Sequence, residues 1–233
     1  MTTQPQNKPP TPVSIPIEGA LLHGDLRGAP SALGVVIFVH GSGSSRLSPR
    51  NRHVAEQLNQ YGLSTLLMDL LTEDEQRIDD RTMEYRFDIP LLAARSAAAA
   101  HWLLTQPATG QLPVGLFGAS TGAAAALITA AEMKDQIAAV VSRGGRPDLA
   151  EEALLNVKAP TLLIVGGDDK TVLALNRKAM AEMRCFNQLH VVRGATHLFE
   201  EPGAMEQVVK VSAEWFSRHF EKRESGPQHR AAS

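Results

Sequence analysis

Val114-Gly115-Leu116-Phe117-Gly118-Ala119-Ser120-Thr121-Gly122-Ala123-Ala124-Ala125-Ala126 passes from an apolar run, through a serine set between glycines, into alanines. The apolar run reads as a strand and the alanines as a helix, so Ser120 falls on the turn between them. That turn is crowded, and the residues two before and two after the serine must be very small. Here both are glycine. A serine in this setting projects its hydroxyl above the end of a sheet, the arrangement called a nucleophile elbow. The competing reading is a glycine-rich strand-to-helix connection with no chemistry. A strand and a helix on the correct sides favour the catalytic one.

Outward from this stretch, strand-type and helix-type runs alternate. Residues 13–17 and 20–26 read as short strands around Glu18-Gly19. Residues 33–39 form a continuous apolar run, the mark of a strand buried on both faces, and residues 64–69, 114–117, 137–141, 161–165 and 189–192 read as further strands. Helices are expected at 52–61, 91–104, 120–133, 172–183 and 204–220. Strands joined by helices imply an α/β fold: a mostly parallel sheet of about eight strands with helices on both faces. Residues 114–131 lack charge, but they are mostly alanine and glycine. They read as a buried strand and helix rather than a membrane span.

Composition narrows the function classes. The chain has 233 residues, enough for one sizeable domain, and 43% of them are hydrophobic. A net charge of −2 gives no general attraction to nucleic acid or anionic membrane. The single cysteine, Cys185, excludes an internal disulfide and suits a reducing, cytoplasmic setting; a packing role is expected for it. Residues 1–12 read as a flexible lead-in without a secretory h-region, 13–220 as one domain, and 221–233 as a flexible tail.

A serine hydroxyl needs a base, and the base needs an orienting acid. Downstream of Ser120, Gly166-Gly167-Asp168-Asp169 and Gly194-Ala195-Thr196-His197 both follow strands. The order Ser, Asp, His on successive strand ends is far more specific than any one member. The other seven histidines read as structural or surface residues. His40 in particular is expected to brace the loop that follows it. No pair has metal-ligand spacing, so neither metal nor cofactor is expected.

These stretches, with His40-Gly41-Ser42-Gly43 and Ser142-Arg143-Gly144-Gly145-Arg146-Pro147-Asp148, resemble an α/β-hydrolase without a cap domain. The resemblance is to the dienelactone hydrolase type, and more narrowly to small hydrolases found beside, or fused to, phosphoribosyltransferases. It implies the pattern Gly-x-x-Asp-x-x-Val, which residues 166–172 fit with Asp169 as the acid. Asp168 would then be a turn or capping residue, and Asp69, at an earlier strand end, is a further candidate. Dienelactone hydrolases usually carry cysteine at the elbow. Serine here shifts the expectation towards ordinary esters.

The loop at Ser42 should supply one oxyanion N–H and Thr121 the other. A phosphate-cradling loop is the rival reading of the same glycines, but the spacing is wrong for it. Arg143 and Arg146 either clamp a substrate carboxylate or pair with nearby acids such as Asp148. Arg46 and Arg50 are weaker candidates of the same kind. The acidic segment 72–88 is either a solvated excursion or a lip bringing Tyr85 or Phe87 to the substrate.

The expected activity is serine carboxylesterase on a small-molecule ester or lactone, with no nucleic-acid or membrane partner and self-association left open. The rivals are a non-catalytic hydrolase-like binding module and acyl transfer or perhydrolysis on the same site.

Overall fold

Five strands at the centre of the sheet are buried along their whole length, as continuous apolar runs demand. The computed structural model describes residues 9–224, with the side chains of 222–224 left aside. Residues 1–8 and 225–233, and with them most of the expected lead-in and tail, lie outside the described residues.

In chain order the strands are β1 (Thr11–Ile17), β2 (Ala20–Arg27), β3 (Gly34–Val39), β4 (Leu63–Met68), β5 (Val114–Ala119), β6 (Ile137–Arg143), β7 (Thr161–Gly166) and β8 (Asn187–Val192). The helices are α1 (Pro49–Gln60), α2 (Glu73–Thr82), α3 (Ile89–Thr105), α4 (Thr121–Glu132), α5 (Lys170–Glu182) and α6 (Ala204–Glu224). The strands form one eight-stranded sheet in the order β1-β2-β4-β3-β5-β6-β7-β8. β1 and β2 pair antiparallel, as do β2 and β4; the rest of the sheet is parallel.

Alternation along each strand sends side chains to two layers. Val35, Ile37 and Val39 of β3 join the cluster that includes residues of α3, α4 and α5, while Val36 and Phe38 join the one that includes α1 and α6. Phe38 and Phe117 meet with ring centroids 4.8 Å apart in the second layer. In α4 the residues Ala123, Ala124, Ala125 and Ala126 are all fully buried. Their small side chains let the helix that carries the elbow lie close on the sheet.

Several boundaries differ from the sequence expectation. β1 begins at Thr11, because Thr11 and Pro12 pair with Leu26 and Asp25 of β2. α6 runs past Phe220 to Glu224, its charged end continuing the helix. α1 starts at Pro49 rather than Arg52, since the Ser48 side chain accepts from Asn51 N and proline suits the first helical position.

The segment 72–88 is largely exposed, as a solvated excursion would be, but it is regular in structure. Most of it is α2, opened by a capping box in which Thr72 accepts from Glu75 N and the Glu75 side chain accepts from Thr72 N. A 3₁₀ segment, Pro147–Asn156, also lies outside the expected elements. No helix among the described residues is long and apolar enough to cross a membrane.

Candidate active site

The elbow is enforced by sterics. Ser120 has φ +51° and ψ −124°, outside the regions that an L-residue adopts without strain. A Cβ at Gly118 would lie within 2.9 Å of the Ala123 nitrogen, and one at Gly122 within 2.8 Å of the His40 carbonyl carbon. Neither neighbour is a flexible side-chain end, so both positions require glycine. The turn is held from the β6 side, where Arg146 N–H donates to Ser120 O at 3.0 Å and Ser120 N–H donates to Arg143 O at 3.2 Å.

The histidine and the acid meet. His197, on the turn after β8, places Nδ1 2.7 Å from Asp169 Oδ2. An ionised carboxylate only accepts, so this contact assigns the ring proton to Nδ1 and leaves Nε2 as the acceptor. Asp169 is also the N-cap of α5, its Oδ1 accepting from Val172 N at 3.3 Å. Asp168 lies in the turn, one of the two roles expected of it, while the cap is Asp169, whose backbone turns into the helix. Asp168 instead pairs with Lys170 at 3.4 Å on the surface.

Asp69 is committed elsewhere. It accepts from Arg46 N at 2.8 Å and forms an ion pair with the Arg46 guanidinium.

Ser120 and His197 line one cavity of about 240 Å³ at the C-terminal edge of the sheet. Among the described residues no direct hydrogen bond joins Ser120 to His197, though both face the same space. A groove of about 830 Å³ adjoins this cavity, and both are lined by Ser42, Ser44, Ser48 and Arg50.

The loop after β3 crosses directly over the elbow: a Cβ on Gly41 would lie 3.0 Å from the Ser120 Cβ. His40 braces it as expected. Its Nε2 accepts from Leu70 N at 3.2 Å and its Nδ1 lies 2.9 Å from Gly41 O, which ties the ends of β3 and β4 together. Burial holds the His40 pKa below its ordinary value, so the ring is neutral and can both donate and accept. Ser42 N–H donates to Thr121 Oγ1 at 2.8 Å, a contact the sequence did not suggest. Thr121 N–H, at the first position of α4, has no acceptor within the helix.

The expected substrate-contact residues separate. Arg143 is buried and lines the cavity with Ser120. Arg146 does not line it, because both Nε and Nη2 are spent on Asp148, at 2.9 and 2.7 Å. Tyr85 packs against the core layer that includes α3, and Phe87 points outwards at 58% exposure. Neither lines the cavity or the groove, because the buried Asp79 turns this segment inward by accepting from Tyr85 N and Arg86 N at 2.9 Å each.

Glu201 was missed. Its Oε1 accepts from Thr196 N at 3.0 Å and from Thr196 Oγ1 at 2.6 Å, which pins the residue before His197. The hydroxyl contact holds the Glu201 carboxyl below its usual range. Nothing in the spacing of Thr196 and Glu201 marks them as partners.

A family model for the dienelactone hydrolase family matches residues 22–221. The chain belongs to the dienelactone hydrolase family. A dienelactone hydrolase from Anabaena variabilis is 53% identical, with a TM-score of 0.89 over 91% of this chain and 99% of that one. A Mycobacterium tuberculosis relative, 58% identical over 187 residues, carries the provisional name of a phosphoribosyl transferase. That match spans 80% of this chain but only 41% of the relative. Est1E from Butyrivibrio proteoclasticus shares the fold, with a TM-score of 0.75 at 16% identity over 90% of this chain and 99% of that one.

Proposed function

We propose that this member of the family is a serine carboxylesterase acting on small esters or lactones. One observation carries the reading. A serine on a strained elbow shares a cavity with a histidine whose far nitrogen is held by a carboxylate at 2.7 Å.

In this reading His197 Nε2 takes the Ser120 proton as the hydroxyl attacks the ester carbonyl. The Asp169 charge stabilises the imidazolium that forms. Thr121 N–H and Ser42 N–H stabilise the tetrahedral oxyanion, Ser42 exchanging the Thr121 hydroxyl for it. The imidazolium then protonates the leaving alkoxide. Water, deprotonated by His197, releases the acid from the acyl-enzyme.

The open cavity and adjoining groove favour short acyl groups, and serine in place of cysteine favours ordinary esters. Acyl transfer to an alcohol would use the same intermediate. We assign the transferase name of the mycobacterial relatives to the part of them that this chain does not span.

The test is turnover of p-nitrophenyl esters of graded chain length, with Ser120→Ala as control. Acetate and butyrate esters should exceed longer chains, and the variant should be inactive. A folded Ser120→Ala protein with near-wild-type turnover would remove the chemistry from this site.

A further inference from the structure

Two arginines and no carboxylate line the cavity beside Ser120. Arg143 is 8% exposed. Its guanidinium makes one hydrogen bond, from Nη2 to Asn51 Oδ1 at 3.4 Å, and its Nε is buried without a partner. Burying a cation without a counter-charge is costly. Burial, with Arg50 alongside, pulls the Arg143 pKa down to about 10. Neighbouring arginines are satisfied by contrast: Arg46 by Asp69 and Asp25, Arg86 by Asp79, Arg146 by Asp148. Among the described residues, the buried guanidinium left without an acid is the one that faces the cavity of Ser120.

The surroundings reinforce the positive field. Arg50 stands in the first turn of the 12-residue α1, two residues after its N-cap Ser48. Its backbone N–H has no acceptor within the helix, and the helix N-terminus carries partial positive charge. The Arg50 side chain also meets Glu200 at 3.3 Å, but both partners are largely in water, at 43% and 65% exposure. That pair is screened and weak, and can open. Ser44 and Ser48 add hydroxyl donors to the same wall.

We propose that this cavity is an anion subsite that takes a phosphate dianion carried on the ester substrate, with Arg143 as the buried clamp and Arg50 and the start of α1 completing it. A planar guanidinium grips a phosphate through two parallel N–H···O bonds. Two guanidinia and a helix terminus match a double charge better than a single one. The adjoining groove of about 830 Å³ leaves room for the remainder of the ester. The substrate class rests on the esterase reading; phosphate binding itself does not.

The experiment therefore measures binding and turnover separately. Thermal unfolding of the Ser120→Ala protein is followed with inorganic phosphate, and with acetate at matched ionic strength. Phosphate at roughly fivefold above its Kd should raise Tm by about 2–4 °C, acetate should not, and Arg143→Met should abolish the shift. Phosphate should also inhibit wild-type hydrolysis of p-nitrophenyl acetate competitively. Should Arg143→Met fail to fold, Arg50→Gln and phosphate titration by phosphorus NMR provide the same test, with weakened binding expected. No phosphate shift, a shift that survives Arg143→Met, or an equal shift with acetate overturns the proposal. If phosphate binds but Ser120→Ala retains turnover, the subsite stands and the esterase reading falls.

Discussion

Asp169 serves His197 and the start of α5 with different oxygens: Oδ2 lies 2.7 Å from His197 Nδ1, and Oδ1 accepts from Val172 N at 3.3 Å. The acid that would orient the base is thereby fixed by the helix it caps. Pre-organisation of this kind keeps the imidazole in one tautomer and one orientation before substrate arrives.

The two roles of Asp169 separate by substitution. Asparagine also caps helices but carries no charge. Asp169→Asn should keep Tm near wild type while kcat falls on the order of 10²-fold or more. Asp169→Ala should lose the cap as well, at about 0.5–2 kcal/mol of stability. Asp168→Asn should change neither appreciably, because that side chain sits on the surface with Lys170. Ester kinetics and thermal melts of the three variants decide it, and the reverse ranking of the two asparagine variants would move the orienting role to Asp168.

Gly118→Ala and Gly122→Ala probe the elbow itself. Each added methyl meets backbone, at Ala123 and at His40 respectively. Overpacking of this kind costs about 1–3 kcal/mol, and more when no side chain can yield. Both variants should melt well below wild type or fail to accumulate in folded form. Tm values unchanged for both would show that the turn is looser than described.

His40 gives stability a pH dependence of known sign. Its folded pKa lies below the ordinary 6.5, chiefly because it is buried. Once pH falls below about 6.5 the unfolded chain binds a proton that the native ring refuses, so stability is lost as pH drops from there towards the folded pKa. It is fully present above 6.5. Comparing Tm across pH 8 to 5 in wild type and His40→Gln isolates this contribution: the variant should start lower and fall less. Parallel curves would mean that His40 is not held neutral.

Much of the fold was legible because its signals are local. Apolar runs marked the buried strands, and the elbow's glycines marked a turn that nothing larger fits. The order on strand ends marked Ser120, His197 and an acid at 168 or 169, and only the resemblance to the family pattern pointed to Asp169. The caps at Ser48-Pro49 and Thr72-x-x-Glu75 place α1 and α2 in the structure, where the expected helix begins at Arg52 and none is expected within 72–88.

What stayed hidden depends on contacts distant in sequence. Arg143 and Arg146 look alike on paper. The backbone reverses between them at Gly144, with φ +52°, sending one guanidinium into the cavity and the other to Asp148. Nor could the hold of Glu201 on Thr196 be seen without the loop that brings them together.

A nucleophilic Ser120 would carry the acyl group during turnover. Acid quenching of the enzyme during turnover of p-nitrophenyl acetate, followed by peptide mapping by mass spectrometry, tests it directly. One acetyl group on the peptide containing Ser120, absent from the Ser120→Ala protein, is the predicted result. Rapid turnover with no acetyl on Ser120, or with the acetyl on another residue, would contradict it.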